Sequence, residues 1–97
     1  MRNEMRPIHP GEILREEFLE PLGMSGSALA NALRVPANRV NGIVNQTRAV
    51  TAETALRLAR FFRTTPQFWL NLQKIYELRV AEERSGSRIR REVKPAA

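Results

Sequence analysis

Apolar residues recur every three or four positions along most of this chain, and each run ends at a proline, a glycine or a polar cluster. That period marks helices with one buried face. In the first run Leu14, Phe18 and Leu19 fall inward, with Arg15, Glu16, Glu17 and Glu20 outward. The predicted helix begins at Pro10, whose missing N–H has no partner to lose in a first turn, with Glu12 near the positive end of the dipole. Ile8 and Ile13 are spaced as a hydrophobic staple, and Pro21-Leu22-Gly23 stops the helix. Ser25 can cap a short second helix with Ala28, Leu29, Ala32 and Leu33 at helical spacing. Pro36 interrupts that pattern and opens a third helix, with Val40, Ile43 and Val44 on one face and an end near Asn45-Gln46. Thr51 caps the fourth, which places Ala55, Leu56, Leu58, Ala59 and Phe62 inward and Arg57, Arg60 and Arg63 largely outward. Thr65-Pro66 repeats the cap-then-proline signature before Phe68, Trp69, Leu70, Leu72, Ile75, Tyr76 and Leu78, more large apolar groups than one buried stripe requires. The expectation is an all-α chain of five helices, with no strand and no internal repeat.

At 97 residues there is room for one modest core. The absence of cysteine excludes disulfides, thiolate metal sites and a thiol nucleophile. No apolar run approaches the roughly 20 residues needed to span a bilayer, and residues 1–9 lack a signal-peptide core. A soluble cytoplasmic protein with no membrane partner is therefore expected. Sixteen Lys and Arg against ten Asp and Glu give +6, which favours a polyanionic partner without choosing among them. Much of the excess lies from Arg84 onward, where five basic residues face one acid. That composition predicts a basic, flexible tail over residues 84–97, a flexible arm over 1–7 and a single domain over 8–83. The tail either contacts DNA phosphates, folds upon a protein partner or only keeps the chain soluble.

Residues 25–48, SGSALANALRVPANRVNGIVNQTR, satisfy several demands of a helix-turn-helix together. Ala30 is small where two helices meet, Leu29, Leu33, Val35, Val40 and Ile43 make a small core, and the turn occupies 33–36. At about 100° per residue, Val40, Ile43 and Val44 set the buried side of the third helix. Asn38, Gly42 and Asn45 then lie opposite, flanked by Arg39 and Asn41. Asn can bond adenine bidentately and Arg guanine, each pair worth roughly 1–3 kcal/mol of discrimination. On spacing alone this amide-rich face either reads bases or is merely solvated. Gly42, at about 1 kcal/mol of lost helix propensity, either admits DNA closely or admits another helix. Gln46, Thr47 and Arg48 follow in a loop suited to phosphates or to nothing beyond connection.

The stretch 25–48 resembles the lambda-repressor-like, or Xre, helix-turn-helix family, and the run Ile8 to Leu78 is similar to the HigA-type antitoxins of toxin-antitoxin modules. The resemblance rests on HPGEILREEFLEPLGMS, RVNGIVNQTRAVTAETALRLARFF and TTPQFWLNLQ, in that order, covering roughly 70 of the 97 residues. It implies a five-helix lambda-repressor-like DNA-binding domain, a homodimer, autorepression at a palindromic operator of double-stranded DNA, and neutralisation of a small RelE-like ribonuclease toxin. The matching base-contact positions are Ala37, Asn38, Arg39 and Asn41, and the matching backbone-contact positions are Ser25, Asn45, Thr47 and Arg48. Two positions depart from the motif. Gly26 stands where Gln commonly reaches a phosphate, and Arg34 stands where the turn commonly has Gly, so a positive φ there would be strained. Gln46-Thr47 also replaces the Asn-Gly type loop of many relatives.

The concentration of five of six aromatic residues in 61–76 either completes the core or leaves a patch that association covers. A dimer would set two recognition helices roughly 34 Å apart, one turn of DNA. A stand-alone repressor of the same fold, without a toxin, is the alternative. Enzymatic function is not expected. The single histidine, His9, sits at a helix start where capping suffices, Glu16 and Glu17 point about 100° apart, and there is no phosphate loop, metal-ligand cluster or cofactor motif.

Overall fold

The computed structural model describes residues 6–96, and over these it forms five helices and no strand. The expected arm, residues 1–7, lies for its first five positions outside the described residues. Helix α1 (residues 10–22) is continuous but changes register: α-helical over Pro10–Ile13, π-helical over Leu14–Leu19 and α-helical again over Glu20–Leu22. The Glu20 N–H reaches back to the Arg15 carbonyl. This wide turn shifts the carbonyls ahead of Pro21, whose ring would press on the carbonyl four residues back in a regular helix. Then come α2 (Gly26–Leu33), α3 (Ala37–Val44), α4 (Ala52–Phe62) and α5 (Pro66–Glu92).

Four of the five helix starts are those the sequence marks; the third helix, expected from Pro36, begins one residue later with Pro36 as its N-cap. Ser25, Thr51 and Thr65 accept from the N–H groups of Ala28, Thr54 and Phe68, and His9 accepts through Nδ1 from Gly11. Beside that first cap Glu12 holds Arg6 bidentately, at 2.9 and 3.0 Å. Four of the five helix ends share one device: Gly23, Arg34, Gln46 and Arg63 all adopt left-handed backbone, with φ of 60, 62, 65 and 59°. After each, the next N–H returns to the carbonyl five residues earlier, as Met24 to Leu19 at 2.9 Å and Thr47 to Gly42 at 2.8 Å. Three of the four positions are not glycine, and each carries strain on the order of 1 kcal/mol. The strain anticipated at Arg34 is therefore present.

Leu14, Leu19, Leu29, Ala30, Leu33, Val40, Ile43, Val50, Ala55, Leu58, Ala59 and Trp69 make one buried cluster, on which Phe18 and Phe62 pack. Trp69 is fully enclosed, its Nε1 donating to Thr64 Oγ1 at 2.8 Å. Gln73, also buried, accepts from the Val50 N–H at 2.9 Å and so ties α5 to the loop before α4. Helix α1 packs on α3 and α5, α2 on α3 and α4, and α4 on α5. Helix α1 comes close to α3 at Gly11: a methyl there would lie 2.7 Å from the carbonyl carbon of Ile43 and closer still to its oxygen.

Three expectations change. In α2 Ala28 and Ala32 face out, while Ala30, expected where two helices meet, is buried. Leu56, expected inward, is 59% exposed, and Ile75 and Leu78 of α5 are 55% and 71% exposed. Finally, the boundary expected at residue 83 falls inside α5, which continues to Glu92. The segment from Arg84 needs no core of its own because it extends a helix already nucleated by the Thr65 cap and anchored by Trp69. Propagation is far cheaper than nucleation. Ion pairs of Arg90 with Glu82 (2.6 Å) and Arg88 with Glu92 (3.8 Å) line the extension, and Arg90 and Arg91 sit favourably at its negative end.

Candidate DNA-reading surface

Helix α3 turns Val40 and Ile43 into the core, leaving Ala37 and Asn38 exposed and Arg39 and Asn41 half-buried, with Asn45 exposed just past its end. The four expected base-contact residues therefore share the outer side of one helix. Arg39 does not hang in solvent: its Nη1 donates to Glu53 Oε1 at 3.1 Å. Asn41 lies over Gly26, at the start of α2, where a side chain would collide with its amide. The departure at Gly26 thus removes a phosphate contact and makes room for Asn41.

Gly42 takes neither role expected of it. Its open side is covered by the chain's own loop, with Arg48 Cβ at 3.1 Å and Thr47 Oγ1 at 3.6 Å from where a methyl would be. Its carbonyl accepts from the N–H groups of Thr47 (2.8 Å) and Arg48 (3.1 Å) and from the Thr47 hydroxyl (3.2 Å). Gly42 shapes the loop that carries the expected phosphate contacts, and the expected reading face narrows to residues 37–39, 41 and 45.

Of the expected backbone-contact residues, Ser25, Asn45, Thr47 and Arg48 are all exposed. Ser25 Oγ accepts from the Ala28 N–H at 3.0 Å, which leaves its O–H to donate outward. Thr47 has directed its hydroxyl hydrogen to Gly42 instead. Arg48 is held from behind: its carbonyl accepts from the His9 imidazole, whose ring meets Tyr76 edge-on at 4.9 Å. With Nδ1 accepting from Gly11, the His9 proton must sit on the other nitrogen, and burial pushes the His9 pKa down despite the bond to Arg48. His9 therefore caps α1, as expected, but it is buried and joins α1, α5 and the loop after α3.

Sequence reasoning missed Glu53 beyond its place in a first turn, because nothing local links it to Arg39 fourteen positions earlier. No group of three or more His, Asp or Glu among the described residues is placed to hold a metal, and no helix among them is long and apolar enough to cross a membrane.

Residues 15–69 match the helix-turn-helix family model. Virulence-associated protein I of Dichelobacter nodosus is 56% identical over 82 residues, 84% of this chain and 76% of that protein. Among solved structures, the antitoxin HigA of Pseudomonas aeruginosa with the higBA promoter is 50% identical with a TM-score of 0.93, covering 95% of this chain and all of that one. The antitoxin GraA in complex with its operator is 49% identical with a TM-score of 0.91, covering 100% and 98%.

Proposed function

This chain belongs to the helix-turn-helix family, among the HigA-type antitoxins, and on that premise we propose that it is a dimeric autorepressor that reads a palindromic operator with α3 and neutralises a RelE-like ribonuclease toxin. Antitoxins of this family act by binding, not by catalysis. The observation that carries the reading is the outer side of α3, where Asn38, Arg39 and Asn41 stand together with Val40 and Ile43 buried behind them. Asn and Arg are the side chains that bond adenine and guanine edges bidentately in the major groove, and Ala37 beside them suits a thymine methyl.

Ser25, Asn45 and Arg48 flank that face and set its register against the phosphates. Thr47 joins them only by turning its hydroxyl away from Gly42. Dimerisation is supported by the exposed apolar side chains of α4 and α5, Leu56, Ile75 and Leu78 among them, since association commonly covers such surface. Two copies of α3 about 34 Å apart would meet successive major grooves on one side of a palindrome.

Footprinting on the chain's own promoter tests the reading. Asn38→Ala, Arg39→Ala and Asn41→Ala should each reduce discrimination between promoter and random DNA by roughly 5- to 150-fold. Wild-type specificity in all three would refute the face assignment. The toxin half requires that a small ribonuclease encoded beside this chain co-purify with it and lose activity on binding; failure leaves a stand-alone repressor of the same fold.

A further inference from the structure

Glu53 lies at the first turn of α4, 64% exposed at its side chain, and it is bonded to the DNA-reading helix through Arg39. An exposed ion pair of this kind adds little to stability. A carboxylate beside a DNA surface also repels phosphates. Its placement calls for a different explanation, and the surrounding bonds supply one. Arg57, one turn along α4, brings Nε to 3.9 Å from the same Glu53 oxygen and donates from Nη1 to the Leu33 carbonyl at 2.9 Å. Leu33 ends α2, so its carbonyl is among those a helix leaves unpaired. Arg57 Nε makes no hydrogen bond, so its link to Glu53 is an ion-pair contact only, and through it a line of contacts runs from the helix-turn-helix turn to the Arg39 guanidinium. Glu53 is itself fixed by the Thr51-capped start of α4, where its charge suits the dipole.

We propose that Glu53 is a specificity-determining positioning residue: by engaging Nη1 of Arg39 in the DNA-free protein, it presents the remaining N–H groups of the guanidinium to a guanine edge. The inference rests on Arg39 being a base reader. An unrestrained arginine loses its rotamer freedom on contacting a base, whereas one already held does not, and preorganisation of this sort converts directly into affinity for the matching site. Glu53 thus trades general attraction to DNA for discrimination.

The two effects have opposite signs in one experiment. Full-length wild type, Glu53→Gln, Glu53→Asp, Arg39→Ala and the Glu53→Gln/Arg39→Ala double variant are titrated against a duplex of the chain's own promoter and a scrambled duplex of the same composition, at one salt concentration. Glu53→Gln should bind the scrambled duplex more tightly, yet lose roughly 3- to 10-fold in the promoter-to-scrambled ratio. Glu53→Asp, which keeps the charge but withdraws it by a methylene, should also lose ratio. In the Arg39→Ala background Glu53→Gln should leave the ratio unchanged. Loss of ratio in Arg39→Ala with an unchanged or increased ratio in Glu53→Gln overturns the positioning role alone. A wild-type ratio in Arg39→Ala overturns the reading role of Arg39 and the proposal with it. Matching thermal melts for wild type and Glu53→Gln exclude a folding defect as the cause.

Discussion

Replacing Gly11 by alanine sets two effects of opposite sign against each other. Helix propensity alone favours the alanine by up to about 1 kcal/mol. The structure opposes it, because the new methyl would meet the backbone carbonyl of Ile43 on α3, with the carbonyl carbon at 2.7 Å. No rotamer relieves a collision with backbone, so α1 must lift from α3. Overpacking of this kind costs typically 1–3 kcal/mol and sometimes more. Lifting α1 also strains the bonds of His9 to Gly11 and to the Arg48 carbonyl, each worth about 1 kcal/mol. The net expectation is a loss of about 3 kcal/mol out of a total of about 5–15 for a domain of this kind, or a melting temperature lower by roughly 12–24 °C. Thermal melts followed by circular dichroism at fixed concentration read this directly. Gly86→Ala is the control: a methyl there meets the carboxylate end of Glu82, a side chain that can swing aside at the cost of its exposed pair with Arg90, and its melt should stay at or above wild type. If Gly11→Ala melts at or above wild type, the close approach of α1 to α3 is wrong.

Two further outcomes follow from the helix ends. Because burial lowers the His9 pKa, the unfolded chain binds that proton more tightly than the folded one; the stability His9 contributes is full above about pH 6.5 and is lost as pH falls from there through the folded-state value. The urea midpoint should drop between about pH 7.5 and 5.5, the drop should shrink in His9→Asn, which can still cap, and a flat wild-type profile would contradict the assignment. Arg34→Gly should raise stability by about 0.5–1 kcal/mol by removing left-handed strain at φ 62°, and a lower denaturation midpoint would count against that strain.

What the sequence announces is local. A Ser or Thr followed by an amphipathic run marks a helix start whatever lies around it, so Ser25, Thr51 and Thr65 were readable as caps, and the α2–turn–α3 unit with them. The burial of particular stripe positions was not, because it depends on where helices cross. Leu56 and Leu58 look alike in the pattern, yet only Leu58 is buried. Glycines show the same limit. Gly42 stands out on the outer side of α3, whereas among the glycines the tightest backbone approach is at Gly11, which reads from sequence as an ordinary first-turn residue. On the reading face, the side of α3 that points outward followed from its period, but the engagement of Arg39 by Glu53 joins two helices and has no sequence signal. The basic segment departs from its expected flexibility for a related reason: its composition describes what it could bury alone, not what an anchored helix can carry beyond the core.

That continuation of α5 has a geometric consequence. Twenty-seven residues in one helix span about 40 Å, against a longest dimension of 52 Å for the described chain. Whatever is attached beyond Glu92 inherits a compass bearing relative to α3 as well as a distance. One residue inserted between Val80 and Glu92 would swing that bearing by about 100° and advance it by about 1.5 Å, whereas an insertion of seven would nearly restore it. For anyone fusing a reporter or a second module to this end, phase matters more than linker length.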